Sequence, residues 1–181
     1  MIWRRLPGTY TLTSICHVNA ALMTCAKQNE FSMPDHATIY ISDPSLLGSR
    51  LFNQIHAIHS YQDLSEGEVA TGILFDIGVA QIQMNFMPQQ ELSTHLNGFA
   101  GYARKVFSGE EDDLIYLLSR IRYVSFAMGS VISPGFDQQG NVEAFLLDFT
   151  SRLNGLLFIH NSIVDHNGQP LAGPLANSPR H

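Results

Sequence analysis

Residues 69–88 read VATGILFDIGVAQIQMNFMP, and the fold class follows from this stretch. Two apolar-rich segments, Val69–Phe75 and Val79–Met87, flank Asp76-Ile77-Gly78, a short turn in which glycine accepts a positive φ. In the second segment, isoleucine, methionine and phenylalanine alternate with glutamine and asparagine. This period of two predicts a β-hairpin in a sheet with one covered face and one polar face, ended by Pro88.

The remaining elements follow from periodicity, capping residues and chain breakers. Strands are predicted over 9–18, 37–41, 123–132 and 156–164, and helices over 19–28, 44–59, 89–107, 111–121 and 141–153. This order lacks regular βαβ alternation and therefore predicts an α+β fold. We expect a single domain over residues 1–181, with an antiparallel-rich sheet of about five to seven strands and helices largely on one face. Residues 60–68 are predicted as an acidic loop, and residues 170–181 as an extended or frayed tail.

Several local roles can be predicted within these elements. Gly98 and Gly101 are expected to let their helix pack closely against the sheet. Ser108-Gly-Glu-Glu111 matches a capping box at the start of the next helix. Asn141 is expected to cap the helix over 141–153, and Gly155 to end it in the left-handed conformation.

Charged residues make up 14% of the chain, and the formal net charge is −6. Since average proteins carry about 25% charged residues, self-repulsion is weak and a homo-oligomer or a stable partner is favoured. No basic face is visible, so we predict no nucleic-acid partner. No apolar run is long enough to cross a membrane. We expect a cytoplasmic protein in which Cys16 and Cys25 are reduced.

Acidic residues concentrate in the middle of the chain. Residues 61–120 contain nine acids and three bases, a charge of −6 that equals that of the whole chain. Acids on a binding face accelerate the encounter with a basic partner. We therefore predict a partner-binding surface, whereas the alternative interpretation is solvated loops and helix starts. The predicted surface consists of Glu66, Glu68, Glu110, Glu111, Asp112 and Asp113.

His56 and His59 are the candidate metal ligands. On the helix predicted over 44–59 they lie one turn apart, close enough to share an ion. Glu66 or Glu68 is the expected third ligand. The spacing differs from that of metalloproteases, whose two histidines are four residues apart with a glutamate between them. Helix-surface or interface histidines are therefore the alternative interpretation.

No nucleophile is paired with a base in the sequence. Cys16 precedes His17, but neighbouring side chains in a strand point to opposite faces. A Gly-x-Ser-x-Gly elbow and a glycine-rich phosphate loop are both absent from the sequence. The sequence therefore predicts no catalytic residue and no cofactor.

Three stretches together resemble uncharacterised bacterial α+β domains in which a hairpin ends in Met-Pro before a helix. The similarity covers residues 69–168, and some such domains occur in toxin–immunity settings. Its motifs are structural, so the resemblance implies no catalytic residue. The stretches are Gly72-Ile-Leu-Phe75 with Met84-Asn-Phe-Met-Pro88, the amphipathic helix that follows, and Asn154-Gly-Leu-Leu-Phe-Ile159 with Asp165 and Gly168.

Two functions from different classes follow from these observations. The first is a non-enzymatic protein-binding domain, including the case of a bacterial immunity protein that neutralises a toxin through its acidic surface. The alternative is a small metal-dependent hydrolase that uses His56 and His59. A purely structural subunit is a third interpretation.

Overall fold

A computed structural model describes residues 35–177, which belong to one unit, Ser32–His181. The predicted strand 9–18, the predicted helix 19–28 and both cysteines lie outside the described residues. The elements in chain order are β1 (Asp35–Ile41), a 3-10 helix (Pro44–Leu46), α1 (Ser49–Phe52), β2 (Ser60–Glu66), β3 (Val69–Asp76), β4 (Gln81–Phe86), α2 (Gln89–Val106), α3 (Glu111–Arg122), β5 (Phe126–Ser133), α4 (Asn141–Arg152), β6 (Leu156–Ile159), β7 (Ser162–Asp165), β8 (Pro170–Ala172) and a second 3-10 helix (Pro174–Asn177).

The hairpin of residues 69–88 forms as predicted. β3 and β4 pair antiparallel, with Ile73 opposite Met84. The carboxylate of Asp76 accepts a 2.7 Å hydrogen bond from the backbone N–H of Gly78, whose φ is 81°. Since glycine has no Cβ, it adopts this left-handed conformation without strain.

All described strands form one sheet in the order β2-β3-β4-β5-β1-β6-β7-β8, and every neighbouring pair is antiparallel. The α+β class is therefore confirmed. The sheet has eight strands, slightly more than the predicted five to seven. The difference comes from β2, from the division of residues 156–164 into two strands, and from β8.

β2 occupies the acidic segment that we predicted as a loop. It pairs with β3, from Ser60 opposite Asp76 to Glu66 opposite Val69. Every residue of β2 except half-buried Leu64 is exposed, so the strand has no apolar face that would reveal it in the sequence. Because β2 is an edge strand, its polar residues face water without cost to the core.

The chain reverses direction between β6 and β7. His160 and Asn161 adopt positive φ values of 49° and 56°, as a tight two-residue hairpin turn requires. β8, in the segment predicted as an extended or frayed tail, adds to the far side of β7. Asp165 accepts hydrogen bonds of 2.8 Å from the backbone N–H groups of Asn167 and Gln169, which stabilise the turn between β7 and β8.

Helices cover both faces of the sheet, so the prediction of helices largely on one face is wrong. α1 and α4 pack against the face on which Ile39 and Met128 are buried. α2 and α3 pack against the other face, on which Tyr40 and Ala127 are buried. Consecutive residues of a strand point to opposite faces. Since these central strands present apolar side chains on both faces, each face needs its own cover.

The prediction of a helix over 44–59 is also wrong. The segment forms only the 3-10 helix and the short helix α1. Asp43 caps the 3-10 helix by accepting a 3.0 Å hydrogen bond from the backbone N–H of Ser45, but Leu47 is extended and ends it. Leu51, Phe52 and Ile55 are all buried in the core. Apolar packing of these turns therefore overrides the helical spacing of the sequence.

Candidate functional site

His56 and His59 lie in the turns that follow α1, and both side chains are exposed. They line one shallow cleft next to Tyr61. The backbone N–H of His59 donates a 2.8 Å hydrogen bond to the carbonyl oxygen of Asp76, which ties this turn to β3. The two histidines are therefore neighbours, although the helix that was expected to align them is absent at these positions.

The expected third metal ligand is not near the histidines. β2 begins directly after His59 and ends at Glu66, so six steps of about 3.4 Å, roughly 20 Å in all, separate the two ends. Glu68 lies in the turn beyond that far end. Within residues 35–177, no group of three or more histidine, cysteine, aspartate or glutamate side chains is arranged to hold a metal ion. The described residues thus place neither expected third ligand beside His56 and His59.

The six acids of the predicted partner-binding surface form two separate groups, and all six are exposed. Glu66 and Glu68 lie at the β2–β3 turn, on one edge of the sheet. The other four are Glu110, the N-cap residue of α3, and Glu111, Asp112 and Asp113 in its first turn. Ser108, two residues before Glu110, donates a hydrogen bond from its hydroxyl to the side-chain oxygen of Asn177 in the 3-10 helix beyond β8, so this group lies near the β8 edge of the sheet.

These two acidic groups are far apart. β2 and β8 are the opposite edges of the sheet, separated by seven interstrand spacings. At about 4.8 Å for each spacing, the distance along the sheet is roughly 34 Å. The structure therefore does not bring the six acids together into one surface.

The start of α3 differs from the predicted capping box. Glu110 is the N-cap residue and its side chain makes no capping hydrogen bond, whereas the Ser108 hydroxyl is engaged with Asn177. Glu111, Asp112 and Asp113 lie in the first turn, where carboxylates interact favourably with the helix dipole. A structural role is thus sufficient to explain part of this acidic run.

A groove of about 790 Å³ lies between α2 and α3. Its apolar lining includes the half-buried side chains of Leu96, Ala100 and Leu118. Arg104 and Arg122 line it as well, and both are exposed. No acidic residue is among its lining residues. The groove therefore combines apolar side chains with uncharged polar residues, such as Ser93 and Asn97, and with two arginines.

The position of α2 depends on contacts with β1. The rings of Tyr40 and Phe99 stack with their centroids 4.2 Å apart. The Tyr40 hydroxyl lies 2.9 Å from Nε2 of His95, a hydrogen-bonding distance. Burial raises the pKa of the Tyr40 hydroxyl above its ordinary value, because the phenolate would lose its hydration. These contacts bury one face of α2, and Leu96 and Ala100 line the groove beside it.

Gly98 and Gly101 do not have the packing role that we predicted. Both are exposed, and a Cβ at either position would meet no heavy atom within 4 Å. The side chains that pack α2 against the sheet are Leu92, Phe99 and Ala103. The glycines therefore lie on the solvent side of the helix.

Arg120 of α3 differs in its contacts from the two groove arginines, Arg104 of α2 and Arg122 of α3. Arg120 donates a 2.8 Å hydrogen bond from Nη2 to the carbonyl oxygen of Asn154 and a 3.1 Å bond from Nη1 to the Tyr116 hydroxyl. Arg104 and Arg122 have neither a hydrogen bond nor an ion pair within the described part of the chain, whose ion pairs are Asp148–Arg152 and Glu143–His160. Both groove arginines can therefore meet a ligand without breaking a contact among these residues.

Exposed apolar side chains concentrate on α3. Ile115 is 58% exposed, Tyr116 46% and Tyr123, directly after the helix, 74%. Tyr123 also lines the groove. Tyrosine and arginine are enriched among the residues that dominate protein–protein binding. These residues were not among the predicted site residues, although large apolar residues on the polar side of a predicted helix are a signal of a binding face.

The chain matches no family model, no curated protein and no solved structure at a significant level of similarity. The resemblance to bacterial α+β domains in toxin–immunity settings is thus still a prediction. In residues 35–177, no helix combines the length and the apolar character needed to span a membrane.

Proposed function

We propose that this chain is a non-enzymatic protein-binding domain that holds a segment of its partner in the groove between α2 and α3. The observation that carries the proposal is a lining that combines half-buried apolar side chains with two exposed arginines, Arg104 and Arg122, which have no ion pair within residues 35–177. The volume of about 790 Å³ is within the range of sites that enclose small ligands or anchor side chains. Exposed Tyr123 supplies an aromatic contact of the kind found at the centre of protein interfaces.

The chemistry of the groove specifies its partner. Leu96, Ala100 and Leu118 favour apolar side chains, and the two arginines favour carboxylates that can accept paired hydrogen bonds. An amphipathic helix with acidic residues beside its apolar stripe meets both requirements. Because the arginines are exposed, their contribution to affinity should decrease as the salt concentration rises.

Binding tests of two charge-reversal variants examine the proposal. Arg104→Glu changes the rim of the groove, and Lys105→Glu makes the same charge change at an exposed neighbour that does not line it. Proteins retained by the immobilised full chain at low salt are identified, purified and titrated against each variant. We expect Arg104→Glu to weaken binding about tenfold and Lys105→Glu to leave it nearly unchanged. Equal affinities for the two variants, or the absence of any retained protein, would overturn the proposal.

An acidic contact surface is a second candidate within the same functional class. Glu66 and Glu68 are exposed at the β2–β3 turn and have no ion pair within residues 35–177. A basic partner, such as a toxin bound by an immunity protein, would meet this edge alone, because the acids of α3 lie at the other edge. The variant Glu66→Lys with Glu68→Lys should abolish such binding and leave groove binding intact.

A further inference from the structure

One face of α3 is exposed along its whole length. Its residues are three or four positions apart, the spacing that aligns side chains on one side of a helix. The core side of the same helix is formed by Leu117 and Ile121, which are buried. The exposed face consists of Asp112, Ile115, Tyr116, Ser119, Arg122 and Tyr123.

This face is complementary to itself when two copies run antiparallel. Asp112 and Arg122 are equally far from Leu117, about 7.5 Å along the helix axis at a rise of about 1.5 Å per residue. A two-fold axis at Leu117 therefore places Asp112 of each copy level with Arg122 of the other. The same axis places Ile115 opposite Ser119, so that a large side chain meets a small one.

We propose that two copies of this chain associate through antiparallel packing of their α3 helices. The occupant of this face is a second copy because the face carries an acid at one end and a base at the other, and only the antiparallel arrangement pairs both. Such an interface is isologous, so each favourable contact occurs twice. Antiparallel helices also bring the positive end of one helix dipole next to the negative end of the other.

The proposal goes beyond the groove as a binding site, although the two surfaces share Ser119, Arg122 and Tyr123. A single pair of helices buries less area than a standard interface of about 800 Å² for each partner. We therefore expect a reversible dimer with a dissociation constant in the micromolar range or weaker.

Sedimentation velocity of the full chain over a series of concentrations tests the proposal. The wild type should shift from monomer to dimer, and Ile115→Glu should weaken the dimer at least about tenfold. Asp112→Arg should weaken it too, and adding Arg122→Asp to that variant should restore it to within a fewfold. Asp113→Arg is the matched control, because Asp113 is exposed but outside the face. Circular dichroism establishes that each variant folds.

Three outcomes would overturn the proposal: a monomer at all concentrations, a dimer that Ile115→Glu leaves unchanged, or no restoration by the charge exchange. Different variants test the dimer and the groove, so one proposal can be wrong while the other holds. Arg104 and Lys105 are outside the α3 face, so Arg104→Glu should leave the dimer constant unchanged. Ile115 does not line the groove, so Ile115→Glu should leave partner affinity unchanged when it is measured at concentrations where the chain is monomeric.

Discussion

Arg120 donates a 2.8 Å hydrogen bond from Nη2 to the backbone carbonyl oxygen of Asn154, which joins α3 to the segment that follows α4. Two residues further on, Arg122 is exposed and has no partner within residues 35–177. One short helix thus holds an arginine that supports the fold and an arginine that is available for binding. Substitution of Arg120 should therefore affect stability, whereas substitution of Arg122 should affect association.

Arg120→Ala should lower the free energy of unfolding by about 1–3 kcal/mol, because a charged donor to a backbone carbonyl is lost. Arg122→Ala should change it by less than about 0.5 kcal/mol, as is usual for a substitution at an exposed position. Urea denaturation at low protein concentration measures both values. Equal losses of stability would contradict the different roles of the two arginines.

Gly155 and Gly98 should respond in opposite directions to substitution by alanine. A Cβ at Gly155 would lie 2.7 Å from the carbonyl oxygen of Tyr40, so Gly155→Ala forces the backbone of β1 to shift. We expect it to lower the free energy of unfolding by about 1–3 kcal/mol. Gly98→Ala meets no atom within 4 Å and should raise it by about 0.5–1 kcal/mol, because alanine favours the helix. Thermal and urea unfolding give both signs, and a neutral Gly155→Ala would refute this close approach.

Asp137 caps α4 in place of the predicted Asn141. Its carboxylate accepts hydrogen bonds from the backbone N–H groups of Asn141 at 3.1 Å and Val142 at 2.8 Å. The bond from Val142 is the main reason that the pKa of Asp137 lies below its ordinary value of 3.8. A lowered pKa contributes stability that is present above 3.8 and is lost as the pH falls through the folded-state value.

Asp137→Ala should therefore be less stable than the wild type at pH 7, and the difference should shrink as the pH falls below 3.8. Parallel urea titrations at several pH values measure the difference. If the difference in the free energy of unfolding stays constant down to the lowest pH at which both proteins fold, the carboxylate charge has no role in capping.

Tyr40 should make the fold sensitive to alkali. Burial raises the pKa of its hydroxyl above the ordinary value of 10.0, so the folded protein keeps this proton where the unfolded chain loses it. This contribution is complete below pH 10.0 and decreases as the pH rises toward the folded-state value. The free energy of unfolding should thus fall as the pH rises above 10.0, and it should fall less steeply in Tyr40→Phe. Identical slopes for the two proteins would contradict this assignment.

The elements that the sequence predicted well are those with one apolar face. The β3–β4 hairpin, α2, α3 and α4 all have side chains that alternate between core and water with the period of their element. β2 has no such pattern, because it is an exposed edge whose pairing with β3 comes from the neighbouring strand. The segment 156–164 is apolar throughout most of its length, and only the conformation of His160 and Asn161 divides it into two strands.

The candidate site depends on tertiary structure that charge counting does not reveal. Glu66 and Asp113 belong to the same acidic stretch of sequence, but Glu66 ends the edge strand β2, whereas the segment before α3 contacts the 3-10 helix beyond β8, at the other edge. Arg104 and Arg122 lie on different helices, and the packing of α2 beside α3 makes them share a groove. Neither relationship can be read from the order of charges along the chain.

The end of α4 shows the same dependence on tertiary contacts. The sequence predicted Gly155 as the left-handed residue, whereas the residue with a positive φ, of 48°, is Asn154. Gly155 is instead required by its closeness to β1, since a side chain there would meet the backbone of Tyr40. Local sequence thus predicted where the helix ends but not why glycine is needed there.

Chemical-shift mapping by NMR of the labelled chain with its purified partner is the most direct test of the proposed function. Binding in the groove predicts that the largest changes fall on Leu96, Ala100, Arg104 and Leu118, and that the β2–β3 turn is unaffected. Changes confined to Glu66, Glu68 and their neighbours, with none along the groove, would contradict it.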